Sequence, residues 1–245
     1  MLNALRSNWP KYLIEAWALG MFMLSATFFA GFLGLPGWPG HSIADPLLRR
    51  SLMGLAMGMT AVGLIYSAWG RRSGAHMNPA LTLAFLYLRK IDRRDAAWYL
   101  VFQCLGGAGA MLLFKSLFPD FTSAPEVNFV QTRPGIAGIG GAFLAEVLIS
   151  FGLVLTVLYA GNFRRTAPYT GLIAGAIVML FITFEDPFSG MSMNPARSLA
   201  SALAAGDFSH YWIYLTAPLT GMLAAAGMWK TWICQKADFH CGYHA

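Results

Sequence analysis

The sequence predicts an all-α polytopic membrane protein with six transmembrane helices and two re-entrant half-helices, arranged as an inverted repeat. The first reason is composition: hydrophobic residues make up 57% of the 245 residues, charged residues 11%, and the mean hydropathy is +0.53. Soluble domains rarely have such a composition. The second reason is a set of six long apolar segments. The third is the tripeptide Asn-Pro-Ala, which occurs at residues 78–80 and again at 194–196.

The six apolar segments have the length that a bilayer requires, which is about 20 residues for a helix. They lie at about residues 12–34, 50–69, 96–118, 138–160, 168–185 and 210–233. The two stretches that begin at the tripeptides, about 78–88 and 194–205, are too short to cross. We therefore expect these two stretches to enter the membrane and return as half-helices.

Both tripeptides are predicted to begin a helix. Their members are Asn78, Pro79 and Ala80 in the first half and Asn194, Pro195 and Ala196 in the second. Proline suits the first helical turn, where its missing N–H has no intrahelical partner, and asparagine is a favourable N-cap. Two half-helices that meet at mid-membrane aim free N–H groups and both asparagine side chains at one point. The natural occupant of that point is a solute passing through a pore.

Basic residues indicate the orientation of the chain. With the N-terminus inside, twelve of the seventeen Lys and Arg residues fall on inner connections, among them Arg71, Arg72, Arg164 and Arg165. This bias predicts that both termini are cytoplasmic. It also explains the net charge of +6 without a nucleic acid partner. The first apolar segment has no cleavage pattern, so we expect a retained helix in a cell membrane, such as a bacterial inner membrane.

Other chemistry finds little support in the sequence. The three cysteines, Cys104, Cys234 and Cys241, lack the spacing of a disulfide framework or a zinc site. Neither a phosphate-binding glycine loop nor a nucleophile with its base stands out. We therefore predict that the chain is not an enzyme and holds no cofactor or metal.

The two halves of the chain repeat beyond the tripeptide. A single channel domain is predicted over residues 1–245, with a first repeat at about 10–118 and a second at about 138–233. Each repeat contains three spans, which places the second copy upside down relative to the first. The pore should therefore lie on the pseudo-twofold axis between them.

Each repeat also has one glutamate inside its first span, Glu15 and Glu146. A carboxylate inside an apolar helix is unfavourable unless other groups donate hydrogen bonds to it. The backbone N–H groups of re-entrant loops need acceptors. We expect Glu15 and Glu146 to brace the loops that hold Asn78 and Asn194. An interfacial or protonated glutamate remains the alternative.

Residues 73–80, SGAHMNPA, and residues 189–198, SGMSMNPARS, resemble the signatures of the major intrinsic proteins, the aquaporins and glycerol facilitators. The resemblance covers nearly the whole chain. It implies six tilted helices and two half-helices, assembled as a homotetramer in a lipid bilayer with one pore per subunit.

The residues ahead of each asparagine then form a ladder of carbonyls along the pore. The expected ladder is an extended stretch in each half, made of Gly74, Ala75, His76 and Met77 and of Gly190, Met191, Ser192 and Met193. At the centre, Asn78 and Asn194 donate to the passing oxygen. The facing positive ends of the half-helices oppose protons and cations. His76 is either a vestibule residue that titrates or a structural histidine.

The resemblance also assigns a selectivity filter. Arg197 forms the outer constriction and requires carbonyl partners at this depth. The residues opposite Arg197 are Met191, Ile182 and Gly58, with Met57 or Met59 as alternatives to Gly58. This set of four filter residues lacks the histidine that strict water channels have. Other positions do not agree on the type of channel. Ser198, Ala202 and Tyr214 are typical of water channels, whereas Leu215 is typical of glycerol channels.

The predicted function is a passive channel for water and small uncharged polar solutes that excludes protons and ions. One alternative is a facilitator chiefly for glycerol, hydrogen peroxide or another neutral solute. A second is a membrane protein for adhesion or scaffolding with a closed pore. An ion-coupled transporter would need a further titratable group in the pore, and none is evident.

Overall fold

The computed structural model describes residues 1–233, and these residues contain helices and no strands. The six long helices are α1 (Leu2–Gly34), α2 (Pro46–Tyr66), α3 (Arg93–Leu117), α4 (Gly138–Asn162), α5 (Thr170–Phe184) and α6 (Tyr211–Met228). The first half-helix is Pro79–Tyr87 and the second half-helix is Pro195–Ala205. Each predicted segment therefore contains one helix. Cys234 and Cys241 lie outside the described residues.

The helix ends differ from the prediction in two places. The first helix begins at Leu2 rather than near residue 12, because nothing in the polar segment before the membrane stops it. Pro10 interrupts this helix only locally. At the other end, α6 ends at Met228 and continues as one π-turn, Trp229–Ile233.

Within residues 1–233, four helices are long and apolar enough, by length and composition, to cross a membrane. They are α1, α3, α4 and the segment Ala167–Phe184, which includes α5. The sequence predicts six spans, and the other two belong to α2 and α6. Both of these helices expose apolar outer surfaces, including Leu55 and Met59 on α2 and Leu215 and Leu223 on α6.

The long helices pack closely in three pairs, α1 with α3, α2 with α5 and α4 with α6. Glycines permit this approach. A Cβ on Gly58 would lie 2.6 Å from the carbonyl oxygen of Gly175, and a Cβ on Gly175 would lie 2.7 Å from that of Gly58. A Cβ on Gly221 of α6 would lie 2.2 Å from the carbonyl oxygen of Val147 on α4. Small residues at helix crossings are typical of membrane bundles.

The half-helices begin where the tripeptides predict. Asn78 is the N-cap of the first and accepts from the N–H of Ala80 at 2.9 Å. Asn194 caps the second and accepts from the N–H groups of Ala196 and Arg197 at 3.1 and 3.2 Å. Proline occupies the first turn of both. The half-helices contact each other, so their N-terminal ends meet inside the bundle.

Candidate functional site

One cavity of about 680 Å³ contains both loops that precede the half-helices. It is lined by Asn78, Asn194 and Arg197, and along α2 its lining runs from Met53 to Tyr66. That part of the helix is about 20 Å long at the α-helical rise. The cavity therefore follows most of the length of a membrane-crossing helix.

Glu15 holds the first loop. Its carboxylate is fully buried and accepts from the Ser73 hydroxyl at 2.8 Å and from the N–H groups of His76 and Met77 at 3.0 and 2.7 Å. The side chain of Gln103 donates a fourth hydrogen bond at 2.8 Å. The donors that a buried carboxylate needs are thus supplied by the loop and by α3.

Glu146 has the same arrangement in the second loop. Its buried carboxylate accepts from the Ser189 hydroxyl at 2.9 Å and from the N–H groups of Ser192 and Met193 at 2.6 and 2.8 Å. A tyrosine completes each half: Tyr99 donates to the Ser73 carbonyl and Tyr214 to the Ser189 carbonyl, both at 2.6 Å. The serine, backbone and tyrosine hydrogen bonds of the two halves therefore correspond, and the bond from Gln103 to Glu15 is an addition in the first half.

The two loops are not extended, which corrects the prediction. Ala75 and Met77 have φ of 46° and 50°, and Met191 and Met193 have φ of 42° and 53°. In an extended strand successive N–H groups point to opposite sides, so they could not both reach one carboxylate. Left-handed residues turn them to the same side and form a nest for an anion. Each left-handed residue costs roughly 1–2 kcal/mol, which the hydrogen bonds to the glutamate offset.

The two asparagines also tie the loops to each other. The Asn78 amide donates to the Met193 carbonyl and the Asn194 amide donates to the Met77 carbonyl, both at 2.6 Å. The sequence suggests that both amides are free to donate into the pore. An asparagine amide has two N–H groups, so each side chain uses one to link the loops and keeps one. The sequence analysis did not predict that the two asparagines bond to each other's loops. It also did not predict that the Met77 and Met193 carbonyls already accept hydrogen bonds within the protein.

Arg197 lies at the first turn of the second half-helix and lines the cavity. The prediction that carbonyls pair with its guanidinium is not met, since this group hydrogen-bonds to none of residues 1–233, and its buried Nη1 has no partner there. The Glu146 and Asp186 carboxylates attract the guanidinium through space, but neither forms an ion pair with it among the described residues. Arg197 is therefore a cavity-lining cation with a buried Nη1 that lacks a hydrogen-bond partner there.

Gly58 is not among the residues that line the cavity, which corrects its assignment to the predicted filter, whereas its alternative Met57 does line the cavity. Gly58 packs against Gly175 at the α2–α5 crossing, as described above. Met53 and Met57 line the cavity in its place. Periodicity could not distinguish these positions, because the faces of α2 toward the cavity, α5 and lipid are all apolar. Met59, the other alternative, is 61% exposed on the outer surface.

Ile182, Met191 and Arg197 lie in one cavity lining, and Asp186 joins them. Asp186 begins a short helix, Asp186–Ser189, that precedes the second loop. Sequence reasoning missed this carboxylate. The sequence could have indicated it, because Asp186 lies eight residues before Asn194, in the same segment as Arg197, and a buried arginine requires a counter-charge.

His76 lines the cavity in a packed setting. Its Nδ1 lies 3.1 Å from the Thr82 hydroxyl, and its ring makes edge contacts with Phe85 and Tyr99. Gln103 donates to the same hydroxyl at 3.1 Å. These contacts fix the ring at the junction of the loop, the first half-helix and α3.

The connection between α3 and α4 lies over the second loop. Gly135 and Ile136 donate to the carbonyls of Phe188 and Pro187, both at 3.0 Å. The hydroxyls of Thr132 and Ser198 lie 2.8 Å apart. This connection therefore supports the wall of the cavity beside the second half-helix.

An exposed ion pair fastens the same connection to the segment before α6. Arg133 and Asp207 lie 3.0 Å apart. Hydrogen bonds from the hydroxyl and N–H of Ser209 lower the pKa of Asp207 to about 2. The carboxylate therefore stays charged over the physiological pH range, and the contact with Arg133 does not depend on pH there.

Comparison with known proteins gives a consistent assignment. The sequence pattern of the family described as Major intrinsic protein matches residues 8–229. Aquaporin NIP3-1 from Zea mays is 37% identical over 171 residues, which cover 69% of this chain and 55% of that protein. Aquaporin-4 from Homo sapiens is 33% identical over 192 residues, covering 77% of this chain and 58% of that protein. The chain thus spans little more than half the length of these relatives.

A solved structure shares the fold. The X-ray structure of the aquaglyceroporin from Plasmodium falciparum matches with a TM-score of 0.75 and 20% identity, covering 92% of this chain and 97% of that one. The duplicated tripeptide, the paired glutamates and the family match over residues 8–229 agree. The chain belongs to the major intrinsic protein family.

Proposed function

We propose that the chain is a passive membrane channel for water and small uncharged polar solutes, and not an enzyme. The observation that carries the proposal is that both asparagine amides and the Arg197 guanidinium line one cavity with otherwise largely apolar walls. A closed scaffold protein has no use for polar donors along such a cavity. Membership of the family supports the same function.

The central donors explain how such a channel passes water but not protons. Asn78 and Asn194 both line the cavity, and the half-helices that they begin contact each other. We assign the remaining N–H of each amide to this central point. A water oxygen that accepts from both turns its hydrogens away from the centre, which interrupts a chain of proton transfer. The positive ends of the two half-helices add an electrostatic barrier to cations.

The outer filter determines which neutral solutes pass. We assign it to Met57, Ile182, Met191 and Arg197, with Met53 and Asp186 beside them. Arg197 and Arg71 are the two arginines that line the described cavity, and Arg197 is the one that belongs to the second half-helix. The other residues that we assign to the filter have thioether or aliphatic side chains. Flexible methionines adapt their shape to the solute. This wall favours a second candidate function, a facilitator for glycerol or another solute larger than water.

Stopped-flow light scattering on proteoliposomes tests the proposal. Vesicles with the protein are expected to shrink in an osmotic gradient faster than empty vesicles. Fast glycerol entry in the same vesicles supports the facilitator, and slow glycerol entry supports a water channel. Water and glycerol rates that both equal those of empty vesicles, with correctly inserted protein, contradict the proposal.

Replacement of Arg197 by alanine is expected to weaken ion exclusion. The variant removes the fixed positive charge of the filter. Because a unit charge at close range is worth several kcal/mol at intermediate dielectric, we expect cation leak to rise at least about tenfold. A fluorescent sodium or proton indicator inside the vesicles measures the leak. An unchanged leak in a conducting variant would show that the barrier lies elsewhere.

The corrected filter position gives a second test. Met57→Ala removes a side chain from the cavity wall and should raise the ratio of glycerol to water flux about tenfold, the scale of small steric changes in a binding site. Met59→Ala is the matched control, because Met59 lies two residues away and points outward. Equal ratios of glycerol to water flux in Met57→Ala and Met59→Ala would contradict the assignment of Met57 to the filter.

We further propose that the channel works as a homotetramer in a cell membrane, with both termini in the cytoplasm. The bias of basic residues supports the orientation. Family membership supports the assembly. Cross-linking in native membranes and protease access to each face test these two points.

A further inference from the structure

Methionines are concentrated in the channel. Five of the thirteen methionines in the sequence line the one cavity: Met53, Met57, Met77, Met191 and Met193. Met191 and Met193 belong to the second loop, and both are held with left-handed φ. Thioethers therefore surround the path of any solute through the filter and past the centre.

A thioether in a polar channel meets oxidants that a thioether in lipid does not. Hydrogen peroxide is a small neutral molecule that donates and accepts hydrogen bonds as water does. Its entry into hydrocarbon requires the loss of those hydrogen bonds, which costs several kcal/mol. A channel that admits water-like solutes thus brings peroxide to the pore methionines, whereas Met59 on the outer surface stays in contact with hydrocarbon.

The surroundings of Met191 give its oxidation a structural consequence. Arg197, six residues further along the same loop and half-helix, lines the same cavity, and its buried Nη1 has no hydrogen-bond partner in residues 1–233. A thioether sulfur is only a weak acceptor. A sulfoxide oxygen is polar and strongly accepting. Oxidation would therefore place an acceptor beside a buried cationic donor that lacks one.

We propose that Met191 is an oxidative modification site, and that its sulfoxide accepts a hydrogen bond from Arg197 and closes the filter. The sulfur lone pair attacks one peroxide oxygen, the O–O bond breaks and an S–O bond forms. The departing hydroxide takes the proton of the oxygen now bound to sulfur and leaves as water. The sulfur is oxidised by two electrons and the peroxide is reduced. The inference rests on the proposed function, because peroxide must enter the pore.

The test uses wild type, Met191→Leu and Met59→Leu in proteoliposomes whose thiols have been capped with a maleimide. Water flux is measured before and after exposure to hydrogen peroxide, and sulfoxides are located by peptide mass spectrometry. Because a hydrogen bond to a charged group is worth roughly 1.5–3 kcal/mol, we expect the flux of the wild type to fall about tenfold. Methionine sulfoxide reductase should restore it.

The three proteins should behave differently. Met191 is expected to oxidise at least about tenfold faster than Met59, given the cost of moving a polar oxidant into hydrocarbon. After peroxide, Met59→Leu should lose water flux like the wild type. Met191→Leu has its own basal flux, because Met191 belongs to the proposed filter, and peroxide should leave that flux unchanged. Slow oxidation of Met191 in a conducting channel overturns the inference, as does an equal loss of flux in Met191→Leu. Absence of flux before peroxide is added contradicts the proposed function instead.

Discussion

Glu146→Ala is expected to destabilise the protein by about 3–9 kcal/mol, because it leaves three buried donors without an acceptor at roughly 1–3 kcal/mol each. The donors are the Ser189 hydroxyl and the N–H groups of Ser192 and Met193. The same carboxylate offsets the strain of the left-handed residues in the second loop. We expect the variant to lose both its cooperative unfolding transition and its water flux.

Thermal unfolding in detergent, followed by tryptophan fluorescence, measures this effect. Glu146→Gln keeps one acceptor oxygen and should lie between the wild type and the alanine variant. Glu126→Ala is the control, because Glu126 is exposed in the connection between α3 and α4. This variant should unfold at the same temperature as the wild type. A Glu146→Ala protein with normal unfolding and flux would favour the alternative of an interfacial or protonated glutamate.

Gly106→Ala is the second change with a large expected effect. A Cβ at this position would lie 2.1 Å from the carbonyl oxygen and 2.4 Å from the Cα of Ala16, both backbone atoms of α1. Backbone cannot move aside as a side chain does, so α1 and α3 must separate. Overpacking of this kind typically costs 1–3 kcal/mol, and a clash with backbone belongs at the upper end, about 3 kcal/mol.

Gly109→Ala is the matched control on the same helix. A Cβ at Gly109 meets nothing within 4 Å. Alanine is the better helix former, so this variant should be slightly more stable than the wild type, by about 0.5–1 kcal/mol in a helix interior. The mid-points of thermal unfolding should therefore move in opposite directions. Destabilisation of both variants to the same extent would contradict the close crossing of α1 and α3.

The helices could be predicted from the sequence because their signals are local. An apolar run of sufficient length indicates a span, and an Asn-Pro pair marks the start of a helix whatever lies around it. The half-helices accordingly begin at Pro79 and Pro195, as predicted. The roles of Glu15 and Glu146 were also accessible, because a carboxylate in an apolar helix requires donors.

The details of the cavity depend on tertiary contacts and could not be predicted. Gly58 and Met57 are neighbours on one apolar helix, and only the crossing with α5 decides which of them faces the cavity. The exchange of hydrogen bonds between Asn78 and the second loop joins residues more than a hundred positions apart. The left-handed φ of Met191 arises from two N–H groups that share one carboxylate, a constraint that no single segment reveals.

The most direct measurement of the central claim is water and ion flux in one preparation. Osmotic shrinkage and the leak of sodium and protons are recorded on the same proteoliposomes containing the wild-type protein. A selective channel for neutral solutes predicts shrinkage faster than that of empty vesicles, with an ion leak equal to theirs. Fast shrinkage together with an ion leak, or no shrinkage beyond that of empty vesicles, would contradict the account.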